Sequence, residues 1–192
     1  MIWFGLKKYY NRLITDINEV ELLESVGIRL KNNPAILGIV LDKLKRCKDN
    51  GVEFYIEIDH VVEELGCKNF NAARVLGILI DNAIEASLEC EKKMVFLKFT
   101  KSIVNSNGNE KQEESIEIKN TYIDIGLDMD KMYDKYYTTK NNGKNQGLGL
   151  WKVGKIVRKN DDLEIYTTVN EEIFTQNLKI CVKIVEKLKK SY

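Results

Sequence analysis

The stretch VLGILIDNAIEAS, residues 75–87, decides how this chain is organised. Its apolar residues recur at three- and four-residue spacing, which predicts an α-helix packed on a core. On such a helix Asn82 points to the same side as Val75, Ile78 and Leu79. A buried amide without partners costs about 1–3 kcal/mol. Two interpretations are open at this point: a core amide bonded to backbone, or an oxygen ligand for a hard cation beside a phosphate chain.

Composition and charge exclude several classes of protein. Of 192 residues, 44% are hydrophobic and 31% charged, and the formal net charge is +1. This indicates a globular domain without the basic surface that nucleic acid or an anionic membrane requires. The four cysteines form no CxxC pair and have no histidine set near them, so we expect free thiols in a reducing cytoplasm. No apolar run reaches the about 18 residues that cross a bilayer, and the N-terminus is wrongly flanked for a signal peptide. We therefore expect the chain as given to be soluble.

The pattern ahead of the first strand is helical. Apolar residues recur at helical spacing over about residues 5–32 and again in the segment 31–51, where Pro34 suits a first helical turn. The next segment, VEFYIEI (52–58), alternates cleanly, which predicts a strand with Tyr55 on its polar face. Because both helices precede any strand signal, we expect them to form an element that pairs with another surface.

Beyond the first strand, helical and strand patterns alternate. We expect a short helix over residues 61–65, a long helix over 71–91, a helix over 147–160, and strands over 93–104, 114–120, 162–169 and 177–188. A polar turn with an Asn-Gly pair separates the second and third strands, and residues 128–146, which have no sustained period, are interpreted as a mobile loop. This order predicts an α+β fold, a two-layer sandwich in which helices cover one face of a mixed, mainly antiparallel sheet.

A second feature that points to chemistry is the glycine-rich entry into the helix of residues 147–160. Gly143, Gly147 and Gly149 lie at or before its first turn, where unsatisfied N–H groups and the helix dipole favour a phosphate. The pattern is neither a Walker loop nor a Rossmann turn, because GxxxxGK[ST] is absent and no strand runs directly into it. YYTTK (136–140) places hydroxyl groups and a lysine just ahead of the glycines.

Together and in this order, these features resemble the ATP-binding domain, or Bergerat fold, that sensor histidine kinases share with DNA gyrase B, Hsp90 and MutL. RVLGILIDNAIEA (74–86) resembles the family's N box, YYTTK its F box, and GLGL (147–150) its G2 box. Within the family, the pattern is most similar to the peptide-receptor, quorum-sensing histidine kinases of the Agr type, in which NPAILGIVLDK (33–43) also has a counterpart. The resemblance covers nearly all of the chain from about Asn33.

The resemblance implies ATP and Mg2+ as ligands and a role for each residue of the site. Asn82 would hold Mg2+ between the phosphates, and Glu85 would orient a metal-bound water. Asn120 would contact adenine, with Asp124 as a shifted alternative. The phosphates would meet the side chain of Lys140 on a closing loop and the backbone N–H groups of Gly147, Leu148 and Gly149.

It also implies boundaries and partners. Residues 1–50 would be the later part of a dimerisation hairpin and residues 51–192 the ATP-binding domain, with a lid at about 125–147. We expect a homodimer through the N-terminal helices, a response regulator as partner, no nucleic acid, and membrane contact only through a sensor domain upstream. The acceptor histidine would also lie upstream, because His60 follows a strand and nothing near it makes a triad or a metal set. The chain would then be the cytoplasmic portion of a membrane-anchored receptor.

Departures from the family pattern keep two other functions open. Histidine kinases usually have a second asparagine where this chain has Ile78, and the DxGxG motif expected around Asn120 is poor. A pseudo-kinase that binds nucleotide and acts as an interaction module would fit these departures. A serine kinase of the anti-sigma-factor type has the same ATP fold without the dimerisation hairpin, so the helices ahead of Val52 count against it.

Overall fold

A computed structural model describes residues 19–65, 69–106, 109–124, 126–139, 147–170 and 172–183. The elements in chain order are α1 (Glu19–Arg29), α2 (Pro34–Asp49), β1 (Glu53–Ile58), α3 (Asn69–Leu88), β2 (Met94–Ser106), β3 (Asn109–Thr121), α4 (Gly149–Val157), β4 (Leu163–Asn170) and β5 (Ile173–Lys183). Over these ranges, none of the helices has both the length and the apolar character needed to cross a membrane.

The five strands form one mixed sheet in the order β1-β2-β3-β5-β4. β1 runs parallel to β2, with Glu53 opposite Met94, and α3 lies in the connection between them, as a parallel pair requires. The other three pairings are antiparallel. β2 and β3 pair up to Ser106 and Asn109, so the predicted polar turn is at the hairpin. The predicted α+β fold with a mainly antiparallel sheet is confirmed.

One hydrophobic core lies between the helices and the sheet. From α3 it takes Leu76, Leu79, Ile80 and Ile84, and from the inner face of β3 it takes Ile116 and Ile118, all nearly inaccessible to solvent. The helices ahead of residue 51 contribute to the same core through Val26, Leu30, Ile36, Val40 and Cys47. These helices thus share a core with the residues after 50, and the predicted division near residue 50 stays a prediction. The dimerisation role of these helices stays a prediction.

α3 is packed between two other helices with different directions. α2 runs parallel to it: Ile39 Cδ1 lies 3.4 Å from where a Cβ of Gly77 would be, and Lys43 Nζ lies 2.9 Å from Asp81 Oδ1, so residues of α2 face residues about 38 positions later. α4 runs antiparallel to α3. The side-chain amide of Asn71 donates to Asn160 Oδ1 at 3.1 Å near one end, and Gly149 meets α3 near the other.

The short helix predicted for residues 61–65 is wrong, because this segment has no regular secondary structure. Its polar groups bond to the turn between α1 and α2 instead of to one another. The buried side chain of Asn33 donates to the carbonyls of Val62 (3.2 Å) and Glu63 (2.9 Å) and accepts from Leu65 N–H at 3.1 Å. Val62 N–H also donates to the carbonyl of Arg29 at 2.8 Å. A single asparagine thus holds an irregular segment over the edge of the core.

The prediction that the face of β1 carrying Tyr55 is polar is also wrong. Tyr55 stacks on Phe96 of β2 with ring centroids 4.8 Å apart, and together with Met94 they form a second, smaller cluster of buried residues. The Tyr55 hydroxyl donates to the carboxylate of Glu53. Burial, with the hydrogen bond to Glu53 adding to it, raises the pKa of the Tyr55 hydroxyl.

Candidate functional site

The amide of Asn82 is the most unusual polar group of α3. Its Nδ2 atom is buried, and it has no hydrogen-bond partner among the residues that the structure describes. The helix around it packs in the core: Leu79 and Ile84 are fully buried and Ala83 is nearly so. Of the two interpretations left open by the sequence, a core amide satisfied by backbone does not account for the unpartnered Nδ2. An amide held ready for a ligand that offers an acceptor atom does, because Nδ2 is a donor; the atom of the same amide that would bind a cation is Oδ1.

The first turn of α4 lies directly against this amide. An ideal Cβ on Gly149 would be 3.4 Å from Asn82 Oδ1, 3.7 Å from its Nδ2 and 3.5 Å from Ile78 Cγ2. The residue ahead of the helix, Leu148, makes no side-chain capping hydrogen bond. The positive end of a helix and a spare carboxamide therefore face the same small space, and the lack of a side chain at Gly149 keeps that space open.

Gly147 can be nothing but glycine in this backbone. Its φ is +61°, and a Cβ there would lie 2.5 Å from both the carbonyl carbon of Tyr136 and the carbonyl oxygen of Tyr137. Tyr136 itself has φ +70°, and its N–H donates to the carbonyl of Gly147 at 3.2 Å. Tyr136 and Gly147, both in left-handed conformations, thus join the two ends of the segment between them. Backbone strain of this kind is found mainly at functional sites.

The described part of the predicted lid is a set of turns held onto β4 and α4. Tyr133 lies against Gly154 of α4, and its hydroxyl is 2.9 Å from Thr167 Oγ1 on β4. Met132 is buried, and Tyr137 Oη accepts a hydrogen bond of 2.7 Å from Asp128 N–H. The absence of a helix in this part agrees with the sequence-based expectation of a loop. Lys140, predicted to approach the terminal phosphate, lies outside the described residues, as does Gly143.

Of the two candidates for the adenine contact, Asn120 is buried and Asp124 is exposed. Asn120 lies on β3 in the row of alternating inward-facing residues that includes Ile116 and Ile118, on the face covered by the helices. Its Nδ2 donates to the carbonyl of Thr121 at 2.8 Å. Asp124 Oδ1 instead accepts from Gly126 N–H at 3.0 Å in a turn beyond the strand. The burial of Asn120 favours it as the adenine contact, whose identity stays a prediction.

Glu85 lies on the side of α3 that faces α2. Its carboxylate is 3.6 Å from Nη2 of Arg46, and the same guanidinium donates to Asp81. Lys43 completes the group at 2.9 Å from Asp81. Burial opposes the charge on Lys43, but its hydrogen bonds to Asp81 and Asp42 outweigh this and raise the pKa of its ammonium group. The predicted role of Glu85 toward a metal-bound water stays a prediction. The sequence pattern did not predict the cations near Glu85, because a contact between two helices leaves no signal in the sequence.

His60 forms a separate charged group with a buried glutamate. Nε2 of the ring is 3.0 Å from Glu114 Oε2 and Nδ1 is 2.8 Å from Asp59 Oδ1. Burial raises the pKa of Glu114 although His60 opposes that shift. Burial lowers the pKa of His60, but the hydrogen bonds to Asp59 and Glu114 outweigh it, so the pKa is above its usual value. Both ring nitrogens are engaged in holding the loop after β1, as expected for a structural histidine.

The donors at the site fit a hard cation only together with phosphate oxygens. Among the described residues, His, Cys, Asp and Glu side chains converge nowhere in a group of three or more that could bind a metal. Mg2+ requires six oxygen ligands and is commonly bound through one or two protein groups plus substrate phosphates. Asn82 beside an uncapped helix N-terminus matches that division, because Oδ1 of the amide would supply one ligand and the helix would attract the anion.

Comparison with known proteins gives a family match and solved structures of similar fold. The family described as GHKL domain matches residues 67–181, which contain Asn82, Asn120 and the glycines of α4. The catalytic domain of histidine kinase ThkA, in a nucleotide-free form, is 23% identical and aligns over 79% of this chain and 94% of its own, with a TM-score of 0.55. The histidine kinase AdeS of Acinetobacter baumannii is 20% identical over 76% of this chain and 64% of its own, with a TM-score of 0.53.

A third solved structure, full-length ShkA in complex with AMPPNP, is 12% identical and covers 94% of this chain but 38% of its own, with a TM-score of 0.59. At these identities the likeness establishes a shared fold. Among curated proteins, no significant match is found.

Proposed function

Since this chain belongs to the GHKL domain family, we propose that it is the ATP-binding catalytic portion of a two-component sensor histidine kinase. The terminal phosphate of ATP would pass to a histidine outside this chain and then to an aspartate of a response regulator. The observation that carries the proposal is the unpartnered amide of Asn82 against the uncapped N-terminus of α4. Fold likeness to histidine kinase catalytic domains supports it.

Each part of the site would contribute position or charge, which is what phosphoryl transfer demands of a protein. Mg2+, when bound, would neutralise charge on the phosphates, and Asn82 Oδ1 would be its protein ligand. The backbone N–H groups of residues 147–149 would hold phosphate oxygens, while the buried Asn120 would accept a hydrogen bond from adenine. The inner face of the sheet and the apolar side of α3 would exclude water from the base.

The finer assignments follow from motifs in the sequence. We propose that the kinase is of the Agr-type, peptide-sensing group, that it dimerises through its N-terminal helices, and that a membrane sensor and the acceptor histidine lie upstream. In this proposal Lys140 approaches the terminal phosphate, and Glu85 orients a metal-bound water. The exposed apolar residues Val20 and Leu23 of α1 are consistent with a helix that meets another chain.

Calorimetric titration of the full chain with Mg-ATP tests the proposal. Wild type should release heat with one site per chain, and Asn82→Ala should abolish or weaken binding at least tenfold while leaving the unfolding temperature near that of wild type. Lys92→Ala, at an exposed lysine beyond α3, serves as a matched control and should bind as wild type does. No heat with wild type would contradict nucleotide binding altogether.

A second candidate is the pseudo-kinase interaction module, favoured by one observation. Ile78, where related kinases have an asparagine, lies 3.5 Å from the Cβ position of Gly149 and gives the phosphate end of the site an apolar neighbour. Incubation with γ-labelled ATP and an upstream segment carrying the acceptor histidine separates the candidates. Acid-labile label on that segment supports the histidine kinase, acid-stable label indicates a serine kinase, and binding without transfer indicates the module. The chain alone should acquire no acid-labile label.

A further inference from the structure

Two cations of α2 meet two carboxylates of α3 beside the nucleotide site. Lys43 Nζ is 2.9 Å from Asp81 Oδ1, the Arg46 guanidinium donates to the same Asp81, and its Nη2 is 3.6 Å from Glu85 Oε1. The four side chains are half-buried or better, with exposed fractions from 12% for Lys43 to 37% for Arg46. We call these four residues the α2–α3 ladder. A network of partly buried, bridging charges is held more firmly than an isolated surface pair.

The ladder fixes the axial position of α3 relative to α2. The helices are parallel, and Ile39 Cδ1 lies 3.4 Å from the position of a Cβ on Gly77, so at this point an apolar side chain of α2 meets a residue of α3 without a side chain. Charges spaced three residues apart on α2 and four apart on α3 resist sliding, because a slide of about half a helical turn, ~2.7 Å, would move both carboxylates away from their cations.

What the ladder positions is Asn82. Asp81 is its immediate neighbour in the chain and Glu85 follows less than one turn later, so the ladder holds the turn of α3 that carries the amide. The amide in turn touches the first residue of α4. A shift of this turn by a fraction of an ångström changes the space in which the amide and the helix N-terminus meet, and Mg2+ tolerates little departure from ideal geometry.

The cations come from outside the region that matches the GHKL family. That region begins at residue 67, whereas α2 ends at Asp49 and continues from α1 through a turn in which Asn33 is buried. The N-terminal helices are therefore joined to the nucleotide helix by charge as well as by the shared core. A displacement of α1 and α2 would therefore change the position of Asn82 through the α2–α3 ladder.

We propose that Arg46, assisted by Lys43, is a positioning residue for the nucleotide site. It holds Asn82 in the geometry that binds the metal-nucleotide complex, and α2 thereby sets the metal-dependent affinity for ATP according to the position of the N-terminal helices. This inference rests on the proposed function, since it concerns the regulation of the same site.

The test compares Arg46→Glu with Lys45→Glu, which makes the same change of charge at an exposed neighbour on the same helix. Calorimetric Kd values for ATP are measured with Mg2+ and with EDTA, at temperatures where thermal unfolding shows each protein to be folded. Arg46→Glu should weaken Mg-ATP binding about tenfold, the size of coupling expected within one charged network. Binding of ATP in EDTA should change by less than about twofold, because the amide acts on the metal, and Lys45→Glu should leave both values near wild type.

Arg46→Lys keeps the charge and should retain most of the wild-type affinity for Mg-ATP. If Arg46→Glu does not fold, Arg46→Ala takes its place and is compared with Arg46→Lys. Loss of stability with an unchanged Kd for Mg-ATP would overturn the inference, as would equal losses in Arg46→Glu and Lys45→Glu. If wild type binds Mg-ATP and Arg46→Glu binds it equally well, only this inference fails. If wild type itself does not bind, the proposed function fails first.

Discussion

Replacement of His60 by alanine gives the sharpest prediction about stability. Glu114 is fully buried on β3, and the ring of His60 reaches both of its carboxylate oxygens, at 3.1 and 3.0 Å. Asp59 bonds to the other ring nitrogen, and the charge of Lys101 also acts on Glu114. In His60→Ala the carboxylate stays buried without its hydrogen-bonding partner. Removal of one partner of a buried pair costs about 3–5 kcal/mol, and we expect a loss in free energy of unfolding of that size at pH 7.5.

The part of the loss that comes from the buried charge of Glu114 should depend on pH in a definite direction. Glu114 and His60 both have pKa values in the folded protein above their ordinary ones. A group of this kind contributes stability that is fully present below its unfolded pKa and is lost as pH rises through its folded pKa. In His60→Ala the interaction that held down the pKa of Glu114 is gone, so this pKa rises further. His60→Ala/Glu114→Gln isolates this group, because it and His60→Ala both lack the histidine. The difference in stability between the two variants should therefore shrink as pH falls from 7.5 towards the ordinary carboxyl pKa of about 4.3, where the buried group carries a proton.

Urea unfolding followed by far-ultraviolet circular dichroism at pH 7.5 and pH 5 measures both quantities. His60→Ala/Glu114→Gln, which removes the stranded charge, should recover part of the loss at pH 7.5 and clearly less of it at pH 5. A recovery of equal size at the two pH values, or none at pH 7.5, would refute the reasoning, since it would mean that packing of the ring, and not the buried charge, is what the histidine supplies.

Three further changes test other parts of the structure. Asn33→Ala removes three hydrogen bonds at a buried position and should cost about 2–4 kcal/mol in urea unfolding. Asn32→Ala, which removes one bond of 3.3 Å, should cost less than about 1 kcal/mol, and equal costs would contradict the account. Gly147→Ala should abolish Mg-ATP binding in a calorimetric titration, whereas Gly126→Ala, at φ +77° but with open space around its Cβ position, should retain it. Gly77→Ala, whose nearest neighbour would be 3.4 Å away, should raise stability by up to about 1 kcal/mol in thermal unfolding, and a lowered melting temperature would show the α2–α3 contact to be tighter than described.

The fold was predictable where a segment has a period of its own. α3 and β3 carry clear helical and strand patterns, and their order along the chain indicates the layered α+β architecture. The prediction of a helix over residues 61–65 was wrong because Asn33, some thirty residues earlier, supplies their hydrogen-bond partners. Tyr55 was placed on a polar face because its stacking partner Phe96 comes from another strand. Local pattern cannot register a partner that only tertiary structure provides.

The site was predictable where a residue differs in chemistry from its neighbours in the sequence. An amide on an apolar helix and glycines at a helix entrance are visible as exceptions, and the structure brings Asn82 and Gly149 together. Arg46 was not noticed, because a charged residue on a helix usually lies on a solvated face. Its partners on α3 depend on the register of two helices some 38 residues apart. Contacts of Lys140 lie outside the described residues, so its role rests on the motif alone.

The central claim is that a phosphate-bearing nucleotide binds between Asn82 and the first turn of α4. At 22.2 kDa the chain is suited to two-dimensional 1H–15N NMR, in which the side-chain amide of Asn82 and the backbone amides of Gly147, Leu148 and Gly149 each give signals. Titration with Mg-AMPPNP should shift these signals together and saturate at one equivalent, with little change for the outer sheet residues such as Glu164 and Tyr166. Saturable shifts elsewhere in the molecule, with the Asn82 amide and the α4 amides unmoved, would contradict the account.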